Sequence, residues 1–156
     1  MGKGLIAGAM TTIEAPRARV WQALVDPAAI KQYMFGADVA SDWRVGGSIV
    51  WKGEWKGKDY EDKGEILRFE PGQRLEYSHW SPLSGEPDEP ANYHRVTIEL
   101  TGEGDRTRVV LTQDNNATDD ARAHSEQNWQ AMLAGLKKYV EGATARSFTE
   151  HPAAAP

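Results

Sequence analysis

The segment DARAHSEQNWQAMLAGLKKYVE, residues 120–141, decides how this chain folds. Its apolar residues recur at the three- and four-residue spacing of an α-helix and form a single stripe, which consists of Trp129, Met132, Leu133, Leu136 and Val140. Thr118 or Asp119 can cap its start, and Gly142 is suited to end it. We therefore predict one long helix near the C-terminus, whose apolar face must be covered by another element.

The residues that precede this helix have the period-two alternation of strands. Residues 5–14 predict a first strand, and residues 38–115 predict about six more. Turn signals separate them at Gly46-Gly47, Gly57 to Asp62, Pro71-Gly72 and Gly102 to Asp105. The result expected is an antiparallel meander with one buried and one solvated face.

Two short helices are predicted between the first strand and the meander. Pro16 suits a first helical turn, because its missing N–H would have no partner there. Asp26-Pro27 ends the first of these helices and offers Asp26 as the cap of the second. Both helices carry apolar residues on one face and are expected to pack as a pair.

These elements predict an α+β fold with a curved antiparallel sheet of six to seven strands around the long C-terminal helix. A strongly twisted sheet is wider than one helix can fill, so we expect a gap between them. We assign residues 1–143 to a single domain. Residues 144–156 have weak periodicity and late prolines, which predicts a flexible tail.

Composition excludes several classes of function. The net charge is −5, from 23 acidic and 18 basic residues, and no basic cluster suggests binding to nucleic acid or to a membrane surface. The chain has no cysteine, so it has no disulfide, no thiolate nucleophile and no cysteine-based zinc site. Four scattered histidines predict neither a metal site nor a cofactor. Without a signal peptide or an apolar span, we expect a cytoplasmic protein.

The strand SIVWKGEW, residues 48–55, places two tryptophans on one face, as the wall of a cavity or as ordinary core. Inward-facing polar residues are more informative, because a buried polar group needs a partner. The candidate ligand contacts face inward by strand alternation or lie on or beside the apolar stripe of the helix. They are Trp51, Trp55, Tyr77, His79, His94, Gln113, Asn115, Asn128, Trp129, Met132 and Leu136. His124 lies one helical turn before Asn128. The alternative is a polar network that satisfies itself or is solvated at the ends of the elements.

The order of elements and several strings resemble one family. They are EAPRARVWQALVDPAAIKQY (14–33), WRVGGSIVWKG (43–53), GEILRFEPGQRLEYSHW (64–80), VTIEL with TRVVLTQ (96–113) and NWQAMLAGLKKYVE (128–141). With them the chain resembles the SRPBCC (START-like, helix-grip) superfamily, in the group related to the C-terminal domain of the heat-shock chaperone ATPase activator. It departs from that group at three positions: His79 stands where tryptophan is usual, Gln113 where histidine is frequent, and Asn128 where glycine is usual.

Three functions follow as hypotheses. The first is binding of a small hydrophobic ligand, lipid-like, aromatic or polyketide-like, in a cavity between sheet and C-terminal helix. The second is a cyclase or hydrolase with His79 as acid-base residue, although no carboxylate is placed by spacing to orient it. The third, implied by the resemblance alone, is co-regulation of a chaperone ATPase. The protein is expected to be a monomer or homodimer, and residues 81–92 form either a disordered excursion or a lid over the cavity.

Overall fold

The computed structural model describes residues 5–153, with side chains for residues 5–54 and 56–142. Seven antiparallel strands form one sheet in the order β1-β7-β6-β5-β4-β3-β2. The strands are β1 (Leu5–Ile13), β2 (Asp38–Ser41), β3 (Ser48–Trp55), β4 (Lys58–Glu70), β5 (Arg74–His79), β6 (His94–Glu103) and β7 (Arg106–Asn116). The helices are α1 (Arg17–Val25), α2 (Pro27–Tyr33) and α3 (Asp119–Ala153). The predicted helix-grip fold is confirmed.

The helix pair begins and ends where the sequence predicts. Pro16 precedes α1 with extended backbone angles, and the carboxylate of Asp26 accepts a hydrogen bond from the Ala28 N–H at 3.2 Å. Both helices bury apolar residues in the core shared by the sheet and α3. The phenol of Tyr33 on α2 donates to the Ala23 carbonyl of α1 at 2.9 Å, which fixes the angle between the two.

The long helix α3 has the predicted cap and a later end. The Thr118 hydroxyl accepts from the Ala121 N–H at 3.0 Å. The backbone helix continues past Gly142, where the sequence predicted its end, as far as Ala153. A helical glycine without an αL conformation does not terminate a helix, and Gly142 is an interior position here. The domain boundary at 143 and the flexible tail stay predictions, because the side chains after Gly142 lie outside those described.

Polar side chains of α3 also bind the outermost strand. β1 lies at one edge of the sheet, and such an edge exposes unpaired N–H and C=O groups that can template pairing with another chain. Three α3 side chains bind such groups of β1: Glu126 accepts from the Gly8 N–H (3.0 Å), Gln130 donates to the Met10 C=O (2.9 Å) and Lys137 donates to the Thr12 C=O (2.6 Å). A fourth, Glu141, accepts from the N–H of Glu14 just after the strand (2.8 Å). The helix therefore covers the β1 edge through hydrogen bonds as well as apolar packing.

The turn predicted from Gly57 to Asp62 is wrong. β3 ends at Trp55 and β4 begins at Lys58, so only Lys56 and Gly57 form the turn. Both have positive φ angles, 52° and 78°, as a two-residue type I′ hairpin turn requires. The polar residues that suggested a longer loop belong to β4, which is 13 residues long.

The outer face of the sheet contains one buried charge that alternation does not predict. Glu76 on β5 points away from the core, yet only 2% of it is exposed. Arg95 and Arg74 form ion pairs with its carboxylate, and Arg68 lies 3.7 Å away. Burial alone would raise the pKa of Glu76, but the arginines bring it below its usual value. The long guanidinium side chains cover the carboxylate, so an outward-facing residue is shielded from water.

Candidate functional site

An aromatic wall lines the inner face where β3, β4 and β5 meet. The rings of Trp51 and Tyr77 have centroids 5.1 Å apart, and the imidazole of His79 meets the Trp51 ring edge-on, also at 5.1 Å. Trp51 and Tyr77 are buried, as predicted, and burial raises the pKa of the Tyr77 phenol. Trp55 was predicted to extend this wall, but its side chain lies outside the described residues.

A histidine–aspartate pair lies against this wall. Nε2 of His79 is 2.9 Å from Oδ2 of Asp62, and the two side chains are 22% and 15% exposed. The remaining polar atom of each, Nδ1 of His79 and Oδ1 of Asp62, is buried and has no hydrogen-bond partner among the described residues. His79 was predicted to face inward, and it does; the carboxylate that orients it was missed.

The register of the β3–β4 hairpin brings Asp62 to this position. Across the tight turn, Trp55 pairs with Lys58, and four residues further along β3 Trp51 pairs with Asp62. Trp51 and Asp62 therefore share the inner face. A two-residue turn at Lys56-Gly57 would have given this register from the sequence, since a lysine-glycine pair between alternating strands is compatible with a hairpin. With residues 57–62 predicted as a turn, Asp62 was not placed on a strand and its inward position was not predicted.

His94 extends the polar group onto β6. It pairs directly with His79 across the β5–β6 ladder, so both imidazoles face the same side of the sheet. Nδ1 of His94 is 2.8 Å from the Asp114 carbonyl oxygen. A carbonyl only accepts, so Nδ1 carries the proton in this bond and Nε2 is an acceptor in the neutral ring.

Tyr60 borders the same region from β4. It lies opposite Gly53 on β3, and a Cβ at Gly53 would meet the Tyr60 hydroxyl at 2.5 Å. The absence of a side chain at position 53 therefore makes room for the phenol. Burial, followed by the negative charge of Asp62, raises the pKa of Tyr60.

Gln113 and Trp129 form a second polar contact, between β7 and α3. The indole Nε1–H of Trp129 donates to Oε1 of Gln113 at 2.5 Å, and Gln113 is only 6% exposed. Met132 and Leu136 are buried on the same helix, in the core. The predicted inward positions of Gln113, Met132 and Leu136 thus correspond to the structure, while Trp129 is half-buried.

The other predicted polar positions differ from this arrangement. Asn128 and His124 on α3 are exposed, because they lie outside the apolar stripe of the helix. Asn115 has a positive φ of 61°, and its amide donates to the carbonyls of Ala91 and Tyr93 at 2.8 and 2.9 Å. Asn115 therefore anchors the loop before β6. As contacts of a ligand, Asn115 and Asn128 stay predictions, as do the other candidate positions.

The 81–92 segment folds against the outer side of the sheet. It contains two short 3-10 turns, Pro82–Ser84 and Pro90–Asn92. The Trp80 indole donates to the Glu86 carbonyl at 3.2 Å, and Asp88 forms an ion pair with Lys63. Trp80 follows the inward-facing His79 and so faces the opposite way, as does Lys63 beside Asp62. These contacts place the segment away from the aromatic wall, which argues against a lid.

An open groove of about 840 Å³ lies at the β2–β4 end of the sheet, lined by Gly36, Asp38, Lys52, Gly53, Glu54, Asp59, Tyr60, Glu61, Lys63, Trp80 and Pro82. Most of these side chains point outward by register. None of the predicted ligand contacts whose side chains the structure describes lines it. Its walls carry charges of both signs, and two of the lining lysines form ion pairs, Lys52 with Glu61 and Lys63 with Asp88.

Comparison with known proteins places this chain in a family. A family model described as "Activator of Hsp90 ATPase homolog 1-like protein" matches residues 14–141. The chain belongs to this family. The matched residues run from just before α1 to the end of the apolar stripe of α3. No curated protein sequence matches the chain significantly.

Solved structures of similar proteins include ChR145 from Cytophaga hutchinsonii, which is 56% identical, has a TM-score of 0.80 and aligns over 93% of this chain and 99% of that chain. CalU16 from Micromonospora echinospora is 23% identical, with a TM-score of 0.67 over 97% and 93% of the two chains. The Aha1 dimer from Colwellia psychrerythraea is 20% identical, with a TM-score of 0.68 over 88% and 96%. The last two likenesses show the common fold alone.

At two of the three positions where the chain departs from the family pattern, the side chain faces the interior. His79 and Gln113 both turn inward and bond to a side chain of another element, Asp62 and Trp129 respectively. Asn128 is exposed. Within the described part of the chain, no helix is long and apolar enough to span a membrane.

Proposed function

We propose that the protein binds a small hydrophobic ligand, lipid-like, aromatic or polyketide-like, between the inner face of β3–β5 and α3. The observation that supports this is the pair of buried, unpartnered atoms, Nδ1 of His79 and Oδ1 of Asp62, beside the Trp51 ring. Leaving such an atom unpaired costs about 1–3 kcal/mol. An apolar wall with a few such polar groups is the usual composition of a small-molecule site.

Titration with fatty acids and aromatic polyketides, followed by intrinsic fluorescence, tests this proposal. The chain has six tryptophans, so the reporter must be identified by substitution. We expect a saturable change that Trp51→Phe largely removes. The matched control Trp80→Phe should retain it, because Trp80 lies on the opposite side of the sheet. A panel without any saturable response, or a response that Trp51→Phe leaves intact, would refute ligand binding at this wall.

A second candidate function is acid-base catalysis of the hydrolase or cyclase kind. It is favoured by the 2.9 Å contact that orients His79, since a carboxylate-bound imidazole is the usual arrangement of a general base. Hydrolysis of 4-nitrophenyl esters of increasing chain length measures this activity. His79→Ala should lower it by roughly 10²–10⁴-fold. The assignment is lost if the native protein shows no turnover, or if His79→Ala leaves turnover unchanged.

The remaining expectations concern partners and location. Contact with the Hsp90 chaperone is the third hypothesis, and it rests on the family's description. Retention of purified Hsp90 on the immobilised protein would support it, and absence of retention would remove it. We also propose that the protein is cytoplasmic and is either a monomer or a homodimer, which cell fractionation and light scattering over a range of concentrations will decide.

A further inference from the structure

The two unpaired buried atoms of the candidate site, Nδ1 of His79 and Oδ1 of Asp62, are hydrogen-bond acceptors when the imidazole is neutral and the carboxylate ionised. Oδ2 of Asp62 accepts a hydrogen bond from Nε2–H of His79, and an ionised carboxylate has no proton of its own to donate. In the neutral imidazole the Nε2–H therefore points to Asp62, and Nδ1 is left as an acceptor. Oδ1 of Asp62 is a second acceptor, and both atoms are buried and unpaired among the described residues.

His94 adds a third acceptor to the same face. Its Nδ1–H donates to the Asp114 carbonyl, which leaves Nε2 unprotonated in the neutral ring. Because His94 pairs with His79 across the ladder, the two side chains project from neighbouring positions on the same face of the sheet. The hydrogen bond to the Asp62 carboxylate thus fixes the tautomer of His79, and the hydrogen bond to the Asp114 carbonyl fixes that of His94.

From this arrangement we infer that the site selects flat aromatic ligands that carry a hydroxyl group, with the hydroxyl donating to Nδ1 of His79 while the ring packs on Trp51. A hydroxyl donor pairs with an acceptor that is otherwise unsatisfied. The matching methyl ether keeps the aromatic surface but has no O–H to donate. It therefore leaves Nδ1 unpaired and brings a lone pair of the ether oxygen next to the lone pair of Nδ1. The inference rests on the proposed ligand-binding function and names the chemical class of its ligand.

Paired probes test this selectivity. We expect 2-naphthol to bind at least about ten-fold more tightly than 2-methoxynaphthalene, since one unmet buried acceptor accounts for that factor. Binding is measured by calorimetry on the full chain. The two probes share the aromatic rings, so a difference between them reports the hydroxyl.

The matched protein variant is the double substitution Asp62→Leu with His79→Phe. Replacing both partners by apolar groups of similar shape avoids leaving one of them unpaired, so this variant is expected to fold. It should bind 2-naphthol no more tightly than 2-methoxynaphthalene. The single variant Asp62→Leu should reduce the preference, because the His79 ring is then free to carry its proton on either nitrogen.

A direct measurement of the tautomer completes the test. Nitrogen-15 spectra of the imidazoles, with the His79 signals assigned by their loss in His79→Phe, should show a protonated Nε2 and an unprotonated Nδ1. A protonated Nδ1 in the neutral ring would overturn the inference. So would equal affinity for both probes, or a hydroxyl preference that survives in the double variant; in both cases ligand binding itself still stands. If neither probe binds, the inference also fails, and the wider lipid and polyketide panel decides the proposed function separately.

Discussion

Gly64→Ala is expected to lower the free energy of unfolding. Among the strand glycines with negative φ, Gly64 is the position at which an added methyl group should cost the most stability. Gly64 lies on β4, between Asp62 and the buried Ile66, where its backbone lies close to the backbone of β5. A Cβ built on it would lie 1.7 Å from the Ser78 carbonyl oxygen and 2.6 Å from the carbonyl carbon. Both are backbone atoms, so no side-chain rotation relieves the contact.

The size of the effect follows from what must move. The strands must separate by about 1.3 Å before the closest contact reaches 3.0 Å, the shortest that a Cβ adopts. That movement lengthens the two hydrogen bonds between Lys63 and Trp80, now 3.0 and 2.9 Å, beyond bonding distance. Two backbone bonds at about 0.5–1.5 kcal/mol each, with the strain of overpacking, give a loss of about 2–4 kcal/mol.

Thermal unfolding followed by circular dichroism measures this loss. For a chain of this size the expected fall in Tm is about 4–16 °C, at 2–4 °C per kcal/mol. Gly8→Ala is the matched control, because its Cβ would have only one neighbour, at 4.0 Å. It should leave Tm within about 2 °C, or raise it slightly by restricting the unfolded chain. Equal Tm values for the two variants would refute the close approach at Gly64.

Three further predictions concern the helix and its contacts. Trp129→Phe removes the indole donor and leaves Oε1 of the buried Gln113 unpaired, so urea unfolding should show a loss of about 1–3 kcal/mol, and Trp129→Phe with Gln113→Leu should recover part of it. Leu136→Ala opens a cavity at a fully buried position and should cost about 2–5 kcal/mol in the same assay; a loss below 1 kcal/mol would contradict its burial. The hydrogen bond from the Gly8 N–H, and then the interaction with Arg122, lower the pKa of Glu126 below its usual value of 4.5. The ionised Glu126 therefore stabilises the fold at neutral pH, and this contribution is lost as the pH falls from 4.5 through the lowered pKa. Glu126→Gln should flatten this part of the pH–stability curve, and an unchanged acid limb would argue against the contact between α3 and the edge of β1.

The sequence predicts the parts of this fold that depend on repeated patterns. The stripe from Trp129 to Val140 defines α3, and the alternation in β5 and β6 identifies their buried faces, because each signal is repeated over many residues. The position of Asp62 depends on a single turn, Lys56-Gly57, and an error of a few residues there removes it from the inner face. Glu76 shows a different limit: the alternation places it correctly outward, but only the tertiary structure brings arginines from β4, β5 and β6 around it.

The two ends of the sheet differ in how they meet α3, and this difference bears on function. At the β1 edge, the helix is fixed by four side-chain hydrogen bonds to the backbone of β1 and of Glu14 just after it, and it also lies against β7, α1 and α2. Those polar bonds depend on direction, so they hold the helix over one side of a sheet that is wider than a helix. On the side of β3–β5, the inner face carries large rings and the half-buried Asp62–His79 pair. A site for a ligand is therefore expected on this second side, and changes at the β1 edge, such as Glu126→Gln, should alter stability while leaving the preference for 2-naphthol intact.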